Sequence, residues 1–258
     1  MADGGPVTRG VGIEAARAPN RTLDLAELGR PDVRRLLAEL DGMVAREAGS
    51  YLHPSKRWEY PWALERARLA PGSHVLDAGS GASIFPVYLA RCGHAVTALD
   101  RVVERRFGAA HAVTVEYVAG DLAALPFAAE SFDAVFCISV IEHVPEERIP
   151  QAMAEFRRVL RRDGRLLLTT DYYRDAEAEI WHEGPDRRFR VDWGVFDEAR
   201  LRRSILDAPG WVVDGALDLD VDWDRVSPRM RRFHGYPYTS VGVALRATAA
   251  GGARNPNA

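Results

Sequence analysis

The chain has 258 residues, enough to bury the core of one large domain or of a domain with a small appendage. Apolar residues make up 47% and charged residues 28%, as in ordinary soluble globular proteins, and a formal net charge of −3 argues against a broad electrostatic footprint for nucleic acid. The longest apolar runs, such as Ala134 to Ile141, are too short to cross a bilayer, and Met1-Ala2-Asp3-Gly4-Gly5 lacks a secretory pattern, so the expectation is a cytoplasmic protein without a membrane partner.

Residues 1–20 are rich in Gly, Pro and Ala without an apolar period and are expected to be flexible. From about Leu23 to Ala48, Leu36, Leu37, Leu40 and Val44 recur at helical spacing. Gly49 and the Ser50-Tyr51-Leu52-His53-Pro54 stretch close that helix. Trp58-Glu59-Tyr60-Pro61-Trp62 then forms an aromatic junction into a short helix around Ala63–Leu69.

From there strands and helices alternate. Ser73–Asp77 is predicted as a strand, and Ser83–Cys92 as a helix with Ser83 at its N-cap and Pro86 in its first turn. Ala95–Leu99 and Val113–Val118 read as strands, and Phe132–Ile138 as another, mostly apolar as buried parallel strands are. Val144 to Arg162 reads as an amphipathic helix, with Ile149, Met153, Phe156 and Leu160 on one face. Asp163-Gly164 stops it before a strand at Arg165–Thr170, and Phe196–Leu206 is a further helix. Trp211–Leu219 and Thr239–Arg246 look like a late strand pair. This alternation implies right-handed crossovers and one parallel sheet.

Cys92 and Cys137 fall in apolar segments and are expected to be small buried hydrophobes; no spacing suggests zinc, so no metal is expected. The pairs Arg157-Arg158, Arg161-Arg162 and Arg187-Arg188 read as solvated faces offset by nearby acids. Lys56 is the only lysine, a bias that together with abundant Ala suggests a GC-rich, bacterial genome.

The chemistry concentrates in His74-Val75-Leu76-Asp77-Ala78-Gly79-Ser80-Gly81-Ala82-Ser83, where a strand delivers an acid and two glycines to a helix N-terminus. Open α/β sheets bind ligands at that edge, and glycine lets backbone approach a ligand closely. A dinucleotide fingerprint wants a third small residue where Ile84 stands, and Asp77 would repel a pyrophosphate but attract an ammonium. Asp100 ends the second strand, where a carboxylate can accept from both ribose hydroxyls of either ligand. Gly120-Asp121-Leu122 ends the third, placing a carboxylate and a backbone N–H where an adenine edge can meet them.

With Asp77, Asp100 and Asp121 at three successive strand ends, the chain resembles the class I S-adenosylmethionine-dependent methyltransferases. Phe132 to Val144 resembles that family's fourth strand and following loop, and residues 157–168 its helix-to-fifth-strand segment; the likeness covers roughly residues 56 to 171. It implies an α/β, Rossmann-like doubly wound seven-stranded sheet, mostly parallel, with an antiparallel last strand, N-terminal helices and a lid insertion after strand five. Within one domain at 21–258, it implies an N-terminal helical lid at 21–70, a cofactor-binding core at 71–171, a lid insertion at 172–193 and the rest of the sheet at 194–248. By position, Asp77 and the Gly79–Ser80–Gly81 backbone would hold the methionyl part of the cofactor S-adenosylmethionine. Asp100 would take the ribose, Gly120, Asp121 and Leu122 the adenine, and Ile138 and Ser139 the methionyl side near the sulfonium. Arg101 stands where the family often has an apolar residue; it would either stack on adenine or point to solvent.

Methyl transfer is an in-line displacement, so the protein mainly aligns the reactants and excludes water; a base matters only if the acceptor must lose a proton. His143, in the loop after the fourth strand, is the candidate base, or else a loop-ordering residue, while its neighbour Glu142 is expected to point elsewhere. Two segments would form the acceptor pocket. Tyr51 to Trp62 offers Tyr51 and Trp58, and Tyr172 to Trp193 offers Tyr172, Tyr173, Arg187 and Arg190 in a long stretch without clear periodicity. The expected acceptor is a small molecule. Alternatives are other chemistry on the same cofactor such as intramolecular cyclisation, a non-catalytic cofactor-binding module, and, well behind, a nicotinamide-dependent oxidoreductase. Oligomeric state is not legible in the sequence.

Overall fold

The computed structural model describes residues 18–46, 51–103, 111–173, 178–183, 188–226 and 238–248, with the backbone alone for 178–183 and 188–193. Eleven strands are present among these residues: β1 (Asn20–Thr22), β2 (His74–Ala78), β3 (Ala95–Asp100), β4 (Glu116–Ala119), β5 (Phe132–Ile138), β6 (Leu160–Tyr172), β7 (Ala178–Glu183), β8 (Arg188–Val195), β9 (Trp211–Val213), β10 (Leu217–Asp218) and β11 (Thr239–Ala247). The helices are α1 (Pro31–Val44), α2 (Lys56–Ala67), α3 (Phe85–Arg91), α4 (Ile149–Val159) and α5 (Glu198–Leu201), the last continuing as a π turn over Arg202–Leu206.

Nine strands form one sheet in the order β10-β1-β11-β6-β5-β2-β3-β4, with β9 also on β11. The run β6-β5-β2-β3-β4 is parallel throughout, and β11 lies antiparallel to β6, as expected for the last strand. The expected count of seven is exceeded because β9 and β1 both lie along the far side of β11 and β10 extends β1. In β1, Asn20 is fully buried. Its Nδ2 donates to the carbonyls of Asp214 at 3.2 Å and Ala216 at 3.1 Å, and its Oδ1 accepts from Ala244 N at 2.7 Å. Asn20 is thus built into the sheet, contrary to the flexibility expected of residues 1–20; residues 1–17 lie outside the described residues.

The period of two in the strands divides the core into two layers. Val75, Ala134, Phe136, Ile138, Leu167 and Ala244 face α1, α2 and α3, while Leu76, Val135, Cys137, Leu166, Leu168, Val243 and Leu245 face α4 and α5. Central strands buried on both faces need apolar residues on both, hence the continuous apolar run of β5. On the first face Tyr60 stacks on Phe85 at 4.4 Å between centroids, and Phe85 meets Phe136 edge-on at 5.1 Å, tying α2 and α3 to β5. Trp62 lies against the bare backbone of Gly242, where an added Cβ would fall 2.6 Å from the indole.

Several element boundaries differ from expectation. The aromatic junction Trp58–Trp62 lies inside α2, and Pro61 is accommodated within that helix. The helix expected from Val144 is preceded by two short 3-10 turns and becomes regular only at Ile149. Its last expected turn belongs to β6, which starts at Leu160 and passes an irregularity at Asp163, where φ is +64°. Cys137 is buried as expected, but Cys92 is exposed at the C-cap of the short α3. The stretch after β6, expected to be aperiodic, contains the antiparallel pair β7–β8. It departs and returns at one place: Tyr173 N donates to Phe196 O at 2.8 Å, and Phe196 N to Asp171 O at 2.9 Å.

Candidate active site

The C-terminal ends of β2, β3, β4 and β5 open onto one cleft of about 230 Å³. Gly79, Asp100, Arg101, Gly120, Asp121, Leu122, Ser139 and His143 line it together, as do Leu99, Val140, Val144, Pro145 and Arg148. Four residues of the expected constellation are less open: Asp77 and Ser80 are buried, Ile138 is buried at the end of β5, and Gly81 is half-buried.

The glycine turn is held by β3. Gly79 N and Ser80 N both donate to Leu99 O, at 2.7 and 3.0 Å, and Gly81 N donates to Asp100 Oδ2 at 2.8 Å. Gly79 has φ +84°, and a Cβ there would fall 2.6 Å from Val140 Cγ2 and closer still to Cγ1. A Cβ on Gly81, at φ +48°, would meet no neighbouring atom within 4 Å, so that side of the turn leaves space for a ligand. The first glycine therefore serves folding and the second leaves room.

Asp77 sits 4% exposed below this turn, and its Oδ2 has no hydrogen-bond partner among the described residues. A buried carboxylate oxygen without a donor is costly, so the position suits a ligand that brings one, above all a cation. Burial pushes the Asp77 carboxyl up to about 7; the Lys56 ammonium pulls it down and the Asp100 carboxylate pushes it up further. At the other end of the cleft, Asp121 Oδ1 accepts from Ala123 N at 2.9 Å and Oδ2 from Arg148 Nη1 at 2.8 Å. These bonds hold its carboxyl below the usual range, so it stays an acceptor.

The loop after β5 closes the near wall. Ser139 takes φ +54°, unusual for a residue with a Cβ, and is pinned in it from three directions. Its N–H donates to Thr169 O at 3.0 Å and to Thr169 Oγ1 at 3.0 Å, and its Oγ donates to Glu59 Oε1 at 2.8 Å. Glu59 is fully buried and also accepts from Ser240 Oγ at 2.8 Å and from Lys56 Nζ at 2.8 Å. Burial alone would raise the Glu59 carboxyl, but Lys56 and the two serines outweigh it and the group lies below its usual range. His143 is exposed, with its N–H on Val140 O at 2.9 Å. Glu142 is buried and accepts from Thr170 Oγ1 at 3.2 Å; burial first and then the nearby Asp171 raise its carboxyl well above the ordinary value.

The expected acceptor residues are not gathered as one set. Trp58 is 1% exposed; it stacks on Trp62 and donates from Nε1 to Glu27 Oε2 at 3.2 Å, so it belongs to the core under α2. Tyr172 is fully buried in the opposite layer. Tyr51 is 73% exposed, and Tyr173 is half-buried against Trp223 at 5.8 Å between centroids. Arg187 lies outside the described residues, and Arg190 is placed by its backbone in β8 alone, whose strand lies against the turn holding His143. Lys56, Glu59, Val140 and Arg148 were not singled out as site residues from the sequence. For Lys56 a signal existed, since a solitary lysine in an arginine-rich chain has a local cause as well as a genomic one.

Among the described residues no group of three or more His, Cys, Asp or Glu is gathered as for a metal ion, and no helix is long and apolar enough to cross a membrane.

Comparison with known proteins places these observations. Residues 76–168 match the family described as "Methyltransferase domain". The bifunctional biotin biosynthesis protein BioHC of Cellvibrio japonicus is 38% identical over 113 residues, 43% of this chain and 21% of its own length. A ubiquinone biosynthesis O-methyltransferase of Methylocella silvestris is 39% identical over 90 residues, 31% of this chain and 35% of its own length. The chain thus spans well under half the length of these curated relatives. Among solved structures, a 1,6-didemethyltoxoflavin N1-methyltransferase of Burkholderia thailandensis, with its substrate and S-adenosylhomocysteine bound, is similar with a TM-score of 0.54. It is 20% identical, over 92% of this chain and 98% of its own, a likeness of fold.

Proposed function

We propose that this chain, whose residues 76–168 match the methyltransferase-domain family, is a class I S-adenosylmethionine-dependent methyltransferase that transfers the cofactor's methyl group to a small-molecule acceptor. The observation that carries the proposal is the buried Asp77 oxygen with no donor, set beneath a glycine turn that is open at Gly81. It fits the methionyl ammonium, and an adenosine fits the rest of the cleft. Asp100, whose Oδ2 accepts from Gly81 N at 2.8 Å and whose Oδ1 accepts from Val102 N at 3.4 Å, lines the cleft where the ribose lies. Asp121 and the Leu122 backbone take the adenine edge, with Arg148 fixing the Asp121 carboxylate and Arg101 lining the same space. Residues 71–171 then form the cofactor-binding core, and residues 21–70 and 172–193 cover the acceptor side.

The sulfonium supplies a methyl carbon with its leaving group already attached. The protein's own share is alignment and exclusion of water, which can contribute about 7–11 kcal/mol in well-oriented systems. Ser139, fixed by Thr169 and Glu59, sets the wall beside the transferring carbon. His143, on the cleft and exposed, is placed to take a proton from an acceptor hydroxyl or amine. The net charge of −3 supports a small acceptor over a nucleic acid.

Calorimetric titration with S-adenosylhomocysteine tests the reading, followed by conversion of S-adenosylmethionine to that product with a panel of small acceptors. Binding at one site per chain and acceptor-dependent turnover are expected. Absence of binding refutes the assignment, and binding without turnover on any acceptor refutes the catalytic part.

A further inference from the structure

Lys56 stands where it can do more than anchor a helix. It opens α2, and its Nζ donates to Glu59 Oε2 at 2.8 Å and to Ile138 O at 3.2 Å. An ammonium carries three donors, so one remains. The side chain is 20% exposed, whereas the Glu59 side chain it pairs with is fully enclosed.

Ile138 ends β5 directly before Ser139, which lines the cleft. In the register between β2 and β5, Asp77 is level with Phe136, which puts Ile138 O level with Gly79. Val75, Phe136 and Ile138 face α2, and the period of two puts Asp77 on that face as well. Lys56 and Asp77 therefore approach the same sheet edge from helix and strand, beside Gly79 and Ser139, which line the cleft, and Lys56 is the cation that opposes the upward shift of the Asp77 carboxyl.

We propose that Lys56 is the counter-charge for the α-carboxylate of the cofactor's methionyl group, completing with Asp77 a two-point clamp for a zwitterion. This rests on the cofactor assignment above and adds to it the partner of the second charge. A zwitterion needs one group of each sign a few ångströms apart, and this sheet edge supplies them from two elements. The chemistry also accounts for the residue type. A guanidinium is a wide planar fork, whereas an ammonium is compact enough to sit between the Glu59 carboxylate and the Ile138 carbonyl with one donor to spare. Lys56 is not itself a methyl acceptor: Glu59 holds its pKa above the ordinary value despite burial, so the amine lone pair stays protonated.

The test compares two ligands on the full chain by titration calorimetry: S-adenosylhomocysteine and its decarboxylated analogue, which keeps the ammonium and lacks the carboxylate. The wild-type protein is expected to prefer the first by roughly ten- to hundredfold, the usual range for a hydrogen bond between charged partners. The double variant Lys56→Met with Glu59→Gln, which removes both members of the buried pair, is expected to lose that preference while still binding the analogue. Should it misfold, Lys56→Gln gives the same measurement with the polar contacts retained. Glu59→Gln alone, which leaves the ammonium, is expected to keep the preference. The proposal is overturned if the Lys56 variants discriminate as the wild type does, or if Glu59→Gln abolishes discrimination as fully as they do; the residue is then a helix anchor only. If the wild type binds neither ligand, the cofactor assignment fails first, and this proposal with it.

Discussion

Replacing Gly79 and Gly81 singly by alanine separates two reasons for a glycine. Both have positive φ, which costs an L-residue about 1–2 kcal/mol. Only at Gly79 does the added Cβ collide with a neighbour, Val140, whose Cγ2 it would approach to 2.6 Å. Overpacking of that kind adds about 1–3 kcal/mol. Gly79→Ala is therefore expected to cost about 2–5 kcal/mol, the sum of the two effects, and Gly81→Ala about 1–2 kcal/mol from backbone strain alone. Urea unfolding of the ligand-free protein measures both, with the slope unchanged if the unfolded state is the same. Val140→Ala supplies the control: in that background the extra cost of Gly79→Ala should fall toward that of Gly81→Ala, a coupling of about 0.5–3 kcal/mol. In ligand binding the order is expected to reverse, since a Cβ at Gly81 projects into unfilled space beside the turn: Gly81→Ala should weaken S-adenosylhomocysteine despite its milder effect on stability. Equal unfolding midpoints for the two alanine variants, or no recovery with Val140→Ala, would refute the packing argument.

Asp77 gives a pH signature. Its folded-state carboxyl lies at about 7, above the ordinary value near 4, so between those limits the unfolded chain has lost a proton that the folded chain keeps. Stability is expected to fall as pH rises through that window, a slope that Asp77→Asn removes in a series of denaturation curves. Because a bound ammonium favours the anion, cofactor binding near pH 6 should release up to about one proton, measurable as a dependence of the binding heat on the buffer's ionisation heat. His143→Ala is expected to lower turnover with little loss of cofactor affinity; equal losses in both would make it a loop-ordering residue. Trp58→Ala is expected to cost about 3–5 kcal/mol of stability and leave the acceptor KM of the folded enzyme unchanged. A changed KM would return Trp58 to the acceptor pocket.

The strand ends that open on the cleft are legible in the sequence because their determinants are local. Strand β2 runs straight into the turn at Gly79, and β3 ends on Asp100, so apolar runs followed by acids and glycines located them within a residue or two. Strand β5 was read to its end residues, since a strand buried on both faces leaves an uninterrupted apolar run. What escaped notice depends on distant partners. Asn20 reads as a polar residue in a glycine- and proline-rich segment, and only the carbonyls near residue 215 and the amide of Ala244 give it a buried role. Composition does not say which side of a helix or strand meets solvent, so Trp58 and Tyr172 read as pocket aromatics in the sequence and lie in the core instead. Helix α2 carries apolar residues nearly all round, so its periodicity gave little guidance and Pro61 suggested a break. Glu59 was passed over for the same reason: a carboxylate in an aromatic run looks solvated until Lys56, Ser139 and Ser240 are found around it.

The seating of β1 bears on how the molecule can be made. Strand β1 hydrogen-bonds along β11, so partners some 220 residues apart in sequence must meet before that side of the sheet exists; the Asn20–Ala244 contact spans 224 positions. A growing chain still short of residue 239 has the glycine turn and all three strand-end acids, Asp77, Asp100 and Asp121, yet offers Trp62 no Gly242 and Glu59 no Ser240. During synthesis α2 would wait with its indole and a carboxylate uncovered, and the Glu59 brace behind Ser139 would be completed only when the final strand docks. Pulse proteolysis of stalled nascent chains should therefore find the N-terminal helices protected late, in one step with β11.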